Sequence, residues 1–215
     1  MNYQTKTNAP EFNNLPINTG TDGQYFCFEM MLHKIQERLF HMITKHNKVL
    51  FIRFDLTFPK NYFSDESNDK VSRLFKILKE NATYKGIDLQ FIWTREQSRE
   101  KHQHYHCILL IDGNKVQSYY SVLKIVSKIW GRLLQCDPAG LVDYCDRKLE
   151  GESVPNGIML RRPSKEADEF EYRDQENNLF AGIDRSFRWS SYLAKVKQKS
   201  NTPEGLRRFG VSQIK

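Results

Sequence analysis

No stretch of this 215-residue sequence approaches the roughly 20 consecutive apolar residues that a bilayer-spanning helix needs, so no membrane role is expected. The cysteines are few: Cys27, Cys107, Cys136 and Cys145 form no CxxC pair and have no zinc-ligand spacing. That argues against a structural zinc site and fits a reducing compartment. The chain also opens without the basic, apolar and small-residue zones of a secretory signal, so a cytoplasmic protein is expected. No Walker GxxxxGK[ST] motif occurs, which excludes a helicase motor in this chain, and there is no internal repeat.

Large side chains are not lacking. With 14 Phe, 10 Tyr and 3 Trp the chain can cover a mixed sheet with helices and bury one core. The formal charge is +7, and the segment from Arg185 to Lys215 carries eight cationic side chains against the single Glu204, an excess equal to that of the whole chain. Such asymmetry favours a polyanionic partner, because each neutralised phosphate releases condensed counterions. Arg185, Arg188, Lys197, Lys199, Arg207 and Arg208 are therefore the candidate DNA-binding residues.

Residues 1–24 are rich in Asn, Thr, Pro and Gly without periodicity and read as a flexible arm carrying no chemistry. Residues 25–200 read as the main folded domain and 201–215 as a basic C-terminal tail. Apolar residues at three- and four-residue steps predict helices from Tyr25 to about Lys48, Asp69 to Tyr84, and Tyr119 to about Gln135. Two shorter helices are expected around 165–175 and 187–199. Val49–Pro59, Ile87–Glu96 and His102–Ile111 read as strands, the last two forming a hairpin, with weaker strands at 140–144 and 157–160. The order predicts an α+β fold, an antiparallel sheet with helices mainly on one face. In the first strand Ile52, Phe54 and Leu56 alternate with Arg53, Asp55 and Thr57, which suggests that the second face is open.

His104 and His106 stand at i and i+2 on a strand, so both imidazoles project from one face and can meet one metal ion. His102 continues the row. The hairpin brings Glu96 beside them, and two neutral nitrogens with one hard carboxylate suit Mg2+ or Mn2+ acting on a phosphodiester. Downstream, Tyr192 and Lys195 lie one turn apart on a helix, a spacing that can place a cation near a phenol. Asp55 and Arg53 are candidates for supporting the metal or a DNA phosphate.

An HxH strand followed by a helical tyrosine resembles the HUH superfamily of replication initiators and relaxases. More closely, Phe51-Ile52-Arg53-Phe54-Asp55-Leu56, Trp93-Thr94-Arg95-Glu96, His104-Tyr105-His106, Ser191-Tyr192-Leu193-Ala194-Lys195 and Arg208-Phe209-Gly210-Val211-Ser212 resemble the inovirus gene-two-like, or YagK/YfjJ, family of phages, prophages and phage satellites. The resemblance implies an RRM-like core and strand-specific nicking of single-stranded or melted origin DNA. It implies a covalent 5′-phosphotyrosine, a released 3′-OH, and cooperation with a host helicase and polymerase at the bacterial nucleoid. His104, His106 and Glu96 would hold the metal, Tyr192 would be the nucleophile and Lys195 its support. Val196 occupies the position where two-tyrosine initiators carry their second tyrosine, which favours a single-tyrosine enzyme. The competing expectation is a non-catalytic DNA-binding regulator that keeps a decayed nickase fold.

Overall fold

The computed structural model describes residues 5–62, 67–97, 103–146, 156–197, 199 and 202–214. Its main sheet is built on the alternating segments identified above: β5 (Lys48–Leu56), β6 (Leu89–Glu96) and β7 (His104–Asp112). Short strands β8 (Val142–Asp143) and β9 (Ile158–Arg161) pair with opposite ends of β5, and β10 (Phe209–Val211) pairs with β6. The strand order is β10-β6-β7-β5-β8, with β9 also on β5, and every pairing is antiparallel.

Period-two alternation gives this sheet two buried faces. Leu50, Ile52 and Phe54 of β5 and Tyr105, Cys107 and Leu109 of β7 join one core with α2 (Asp69–Tyr84) and α3 (Tyr119–Leu134). Within it the fully buried Trp130 donates its indole N–H to Thr57 O at 2.9 Å. α3 starts at Ser118, whose hydroxyl accepts from Ser121 N, and stops at Gln135 in the left-handed region.

The opposite face is not open, which corrects the expectation of helices mainly on one face. Val49 and Phe51 of β5 and Ile108 and Leu110 of β7 pack beneath α1 (Glu29–Lys45) and the second half of α4 (Glu169–Ser191). The polar residues that suggested an open face, Arg53 and Asp55, occupy only the end of it. Apolar positions 49 and 51 are long enough to seat two helices on the remainder.

α4 is one helix where two were expected, since the polar run 172–178 is a solvated stretch of it rather than a break. It ends in a 3-10 turn over Tyr192–Ala194. The N-terminal segment is also more than an arm. Lys6–Thr7 (β1) pairs with Cys27–Phe28 (β4), which delays α1 to Glu29. Glu11–Phe12 (β2) and Leu15–Pro16 (β3) form a hairpin turned by Asn13 and Asn14, with φ 50 and 61. Leu15 and Ile17 are buried in the second core.

The C-terminal residues 202–214 are likewise packed rather than a free tail. Arg38 of α1, 4% exposed, donates Nε and Nη2 to Ser212 O at 3.0 and 2.6 Å. Asn68 Nδ2 donates to Arg207 O at 2.9 Å, and Phe209 is buried. Phe209 and Val211 make too short an alternation to be read as a strand without its partner.

Candidate metal centre and tyrosine turn

In an antiparallel pair, residues directly opposite one another share a face. The β6–β7 register sets Glu96 against His104 and Thr94 against His106, while the β5–β7 register sets Asp55 against His106. Glu96, His104, His106 and Asp55 therefore converge at the polar end of the second face, as the hairpin argument required. His102, the third histidine of the row, lies outside the described residues.

One donor atom from each of Glu96, His104 and His106 lies within 4.8 Å of the others. His106 Nε2 is 3.1 Å and His104 Nε2 3.5 Å from Glu96 Oε2, and the two imidazole Nε2 atoms are 3.2 Å apart. On its other nitrogen His106 meets Asp55 Oδ1 at 2.8 Å, an ion-pair contact. A carboxylate behind a histidine is the usual arrangement for turning the far nitrogen toward a metal. The donor set, two imidazole nitrogens and one carboxylate oxygen, thus fits a divalent cation.

The charges in this corner are strongly coupled. Burial disfavours ionised Glu96, yet the two histidines and Lys199 outweigh it and hold the carboxyl far below the usual carboxylate range. Burial also opposes a charged His106, but Asp55 and Glu96 overcome it and raise its pKa. Lys199 Nζ sits 2.6 Å from Glu96 Oε1 and is fully buried. Its placement among DNA-binding residues is therefore corrected: the lysine neutralises a candidate metal ligand and has no surface to offer a phosphate. Nothing in its sequence neighbourhood marked it, because its partner Glu96 comes from β6, 103 residues away.

Tyr192 reaches the cluster from the end of α4. Its ring stands edge-on to His106, with centroids 4.9 Å apart and planes at 86°. The 3-10 turn that carries it is held by the N-terminal segment: Asn18 N donates to Ser191 Oγ at 2.8 Å, Val196 N donates to Phe26 O at 2.9 Å, and Lys195 bridges to Cys27. Asn18, within the segment expected to carry no chemistry, thus joins Phe26 and Cys27 in positioning the candidate nucleophile.

Arg53 Cζ lies 4.7 Å from the centroid of the Tyr192 ring and 5.6 Å from that of Trp189. Lys195 Nζ lies 4.6 Å from the Tyr192 ring centroid and 3.9 Å from that of Tyr25. The sequence brought Lys195 to Tyr192 correctly, but the ammonium contacts ring faces. Trp189 is 4% exposed and packs on Phe51, so it belongs to the core. Burial, then Glu96, raises the Tyr192 pKa, against the opposing pull of Arg53. Burial lowers that of Lys195.

Among the other sequence-derived cations, Arg185, Lys197 and Arg207 are exposed, whereas Arg188 and Arg208 are half-buried. Lys197 joins Lys6 and Lys195 along a cleft of about 770 Å³ beside the Tyr192 turn.

The sequence profile of the YagK/YfjJ C-terminal domain matches residues 7–140, well over half of the chain. The chain belongs to this family. The matched stretch contains Arg53, Asp55, Glu96, His104 and His106; Tyr192, Lys195 and Lys199 lie beyond it. It begins within the N-terminal segment, in keeping with the packing of that segment on the body. Comparison with curated proteins and with solved structures gave no match. No helix among the described residues is long and apolar enough to cross a membrane.

Proposed function

We propose that this YagK/YfjJ-family chain is a DNA-nicking enzyme of the HUH type that starts replication of a phage, prophage or satellite element. The observation that carries the reading is the edge-on meeting of Tyr192 with His106, 4.9 Å apart, at a cluster able to hold a divalent cation. A phenol, a cation and a metal-ligand set at one sheet end are the parts needed for tyrosine attack on a phosphodiester.

In the reaction the Tyr192 oxygen bonds to phosphorus as the bond to the 3′ oxygen breaks. The phenolic proton passes to water, and the 3′ oxygen takes up a proton and leaves as a hydroxyl able to prime a host polymerase. Glu96, His104 and His106 would hold Mg2+ or Mn2+, which supplies charge stabilisation at the scissile phosphate. Arg53, buried and with its Nε unpartnered among the described residues, adds a fixed positive charge beside the phenol as phosphate charge develops. Lys6, Lys195 and Lys197 line the approach along which an unpaired strand reaches Tyr192. Only single-stranded or melted DNA fits, because a half-buried tyrosine between helix and sheet cannot reach a phosphate inside a duplex.

The test is a denaturing gel of protein mixed with labelled origin-derived single strands of its element, with Mn2+ and with a chelator. Metal-dependent migration of label with the protein is expected. Binding without any covalent product would favour the non-catalytic regulator.

A further inference from the structure

A second polar cleft lies at the opposite end of β5 from the tyrosine site. Its volume is about 1080 Å³, and it is bounded by the end of α1, the start of β5, the end of β9 and the first half of α4. Lys48, on its wall, and Asp55 behind His106 are seven residue steps apart, so about 23 Å of strand stands between the two sites.

Lys45, Lys48, Arg161, Arg162 and Lys165 line this cleft, and no carboxylate does so among the described residues. Lys45 is paired, at 2.7 Å from Asp88. Lys48, Arg161, Arg162 and Lys165 have no ion-pair partner among the described residues, although Arg161, Arg162 and Lys165 are exposed. Some exposed cations elsewhere are paired, as Lys34 is with Glu37 at 2.9 Å and Arg173 with Glu169 at 2.7 Å. Four unpaired cations collected in one concavity repel one another, and a multivalent anion relieves that repulsion.

The rest of the lining selects among anions. Tyr172 presents a partly exposed ring, and Gln175, Asn178 and Asn114 present amides. A basic groove with an aromatic platform and uncharged hydrogen-bonding groups suits an unpaired nucleic-acid strand, whose phosphates follow the cations while a base stacks on the ring. We propose that this cleft binds the phosphodiester backbone of single-stranded DNA at a distance from the cutting site, holding the strand that flanks the nick. The proposal rests on the nicking reading for the identity of the strand, not for the existence of the surface.

Arg161→Gln, Arg162→Gln and Lys165→Gln combined remove three exposed charges and no described side-chain contact, so an unchanged melting temperature is expected. Fluorescence anisotropy with labelled oligo-dT across a salt series measures the consequence. Binding at low salt should weaken by about tenfold or more, and the slope of log affinity against log salt should flatten by about 0.7 for each lost phosphate contact. Tyr192 adduct formation on a strand just long enough to cover the cutting site should be unaffected. An unchanged slope and affinity, no binding of oligo-dT by the wild type, or displacement of the oligonucleotide by polyglutamate as readily as by unlabelled oligo-dT would each overturn the proposal. Loss of oligo-dT binding in the triple variant, alongside a wild type that forms no adduct, would uphold this surface and sink the nicking reading alone.

Discussion

Lys199 and Glu96 stand 103 residues apart and meet at 2.6 Å, with side-chain exposures of 0% and 4%. The ammonium occupies Oε1 and leaves Oε2 to the histidines, so one buried cation orients a candidate metal ligand and offsets its charge. Lys199→Met should lower the melting temperature without metal, since leaving one partner of a buried pair uncompensated costs about 3–5 kcal/mol. Mn2+ should then raise the melting temperature of the variant by more than that of the wild type, because Glu96 has lost the buried ammonium that balances its charge. Equal shifts with Mn2+ would separate Lys199 from the metal site.

The C-terminal strand makes a second expectation, about stability. Arg38→Met removes two charge-assisted hydrogen bonds to Ser212 O from a buried position and should cost about 1.5–3 kcal/mol in urea unfolding. Deleting the residues after Glu204 should cost more, because it strips β10 from β6 and Phe209 from the core. A deleted chain that unfolds at the wild-type urea concentration would show β10 to be dispensable.

Asp88 ties the end of α1 to the sheet through Lys45 at 2.7 Å and His46 at 3.1 Å. Partial burial works against its ionisation, but Lys45, His46 and Lys79 prevail and bring the carboxyl down to about 2. A lowered folded-state pKa contributes stability above the ordinary value near 3.8, and that contribution disappears as pH falls from about 4 to 2. Asp88→Asn should therefore destabilise at pH 7 by roughly 1–2 kcal/mol, discounted for the exposed Lys45, and by almost nothing at pH 2. A deficit constant across this range would assign the loss to packing.

The central part of the fold was legible because its signals are local. The alternation in β5, the stripes of α2 and α3, and the HxH of β7 each follow from neighbouring residues. Register then brought Glu96 to His104 by the hairpin argument alone. What was missed depends on distant partners. The second face is covered by α1 and α4, although Arg53 and Asp55 made it look open, because those two residues mark only its polar end. Lys199 resembled its basic neighbours, and only the β6 carboxylate distinguishes it. The first 24 residues have no periodicity to read, yet Asn18 and the adjoining Phe26 hold the turn that carries Tyr192.

His104→Ala with His106→Ala removes two of three candidate donors from the strand that pairs both neighbours. Stabilisation by Mn2+ and formation of the covalent adduct should both vanish, while oligonucleotide binding remains within about threefold, since phosphate contacts dominate affinity. Mn2+ stabilisation that survives in this variant would remove the cluster as the metal site.

Tyr192→Phe deletes one oxygen from a half-buried ring and leaves its contact with His106 intact, so fold, Mn2+ response and oligonucleotide affinity should all be retained. The decisive measurement is peptide mapping of the wild-type protein after reaction with single-stranded origin DNA, run beside this variant. The account requires a nucleotide on Tyr192 in the wild type and no adduct in Tyr192→Phe; a nucleotide on any other tyrosine, or an undiminished adduct in the variant, would contradict it.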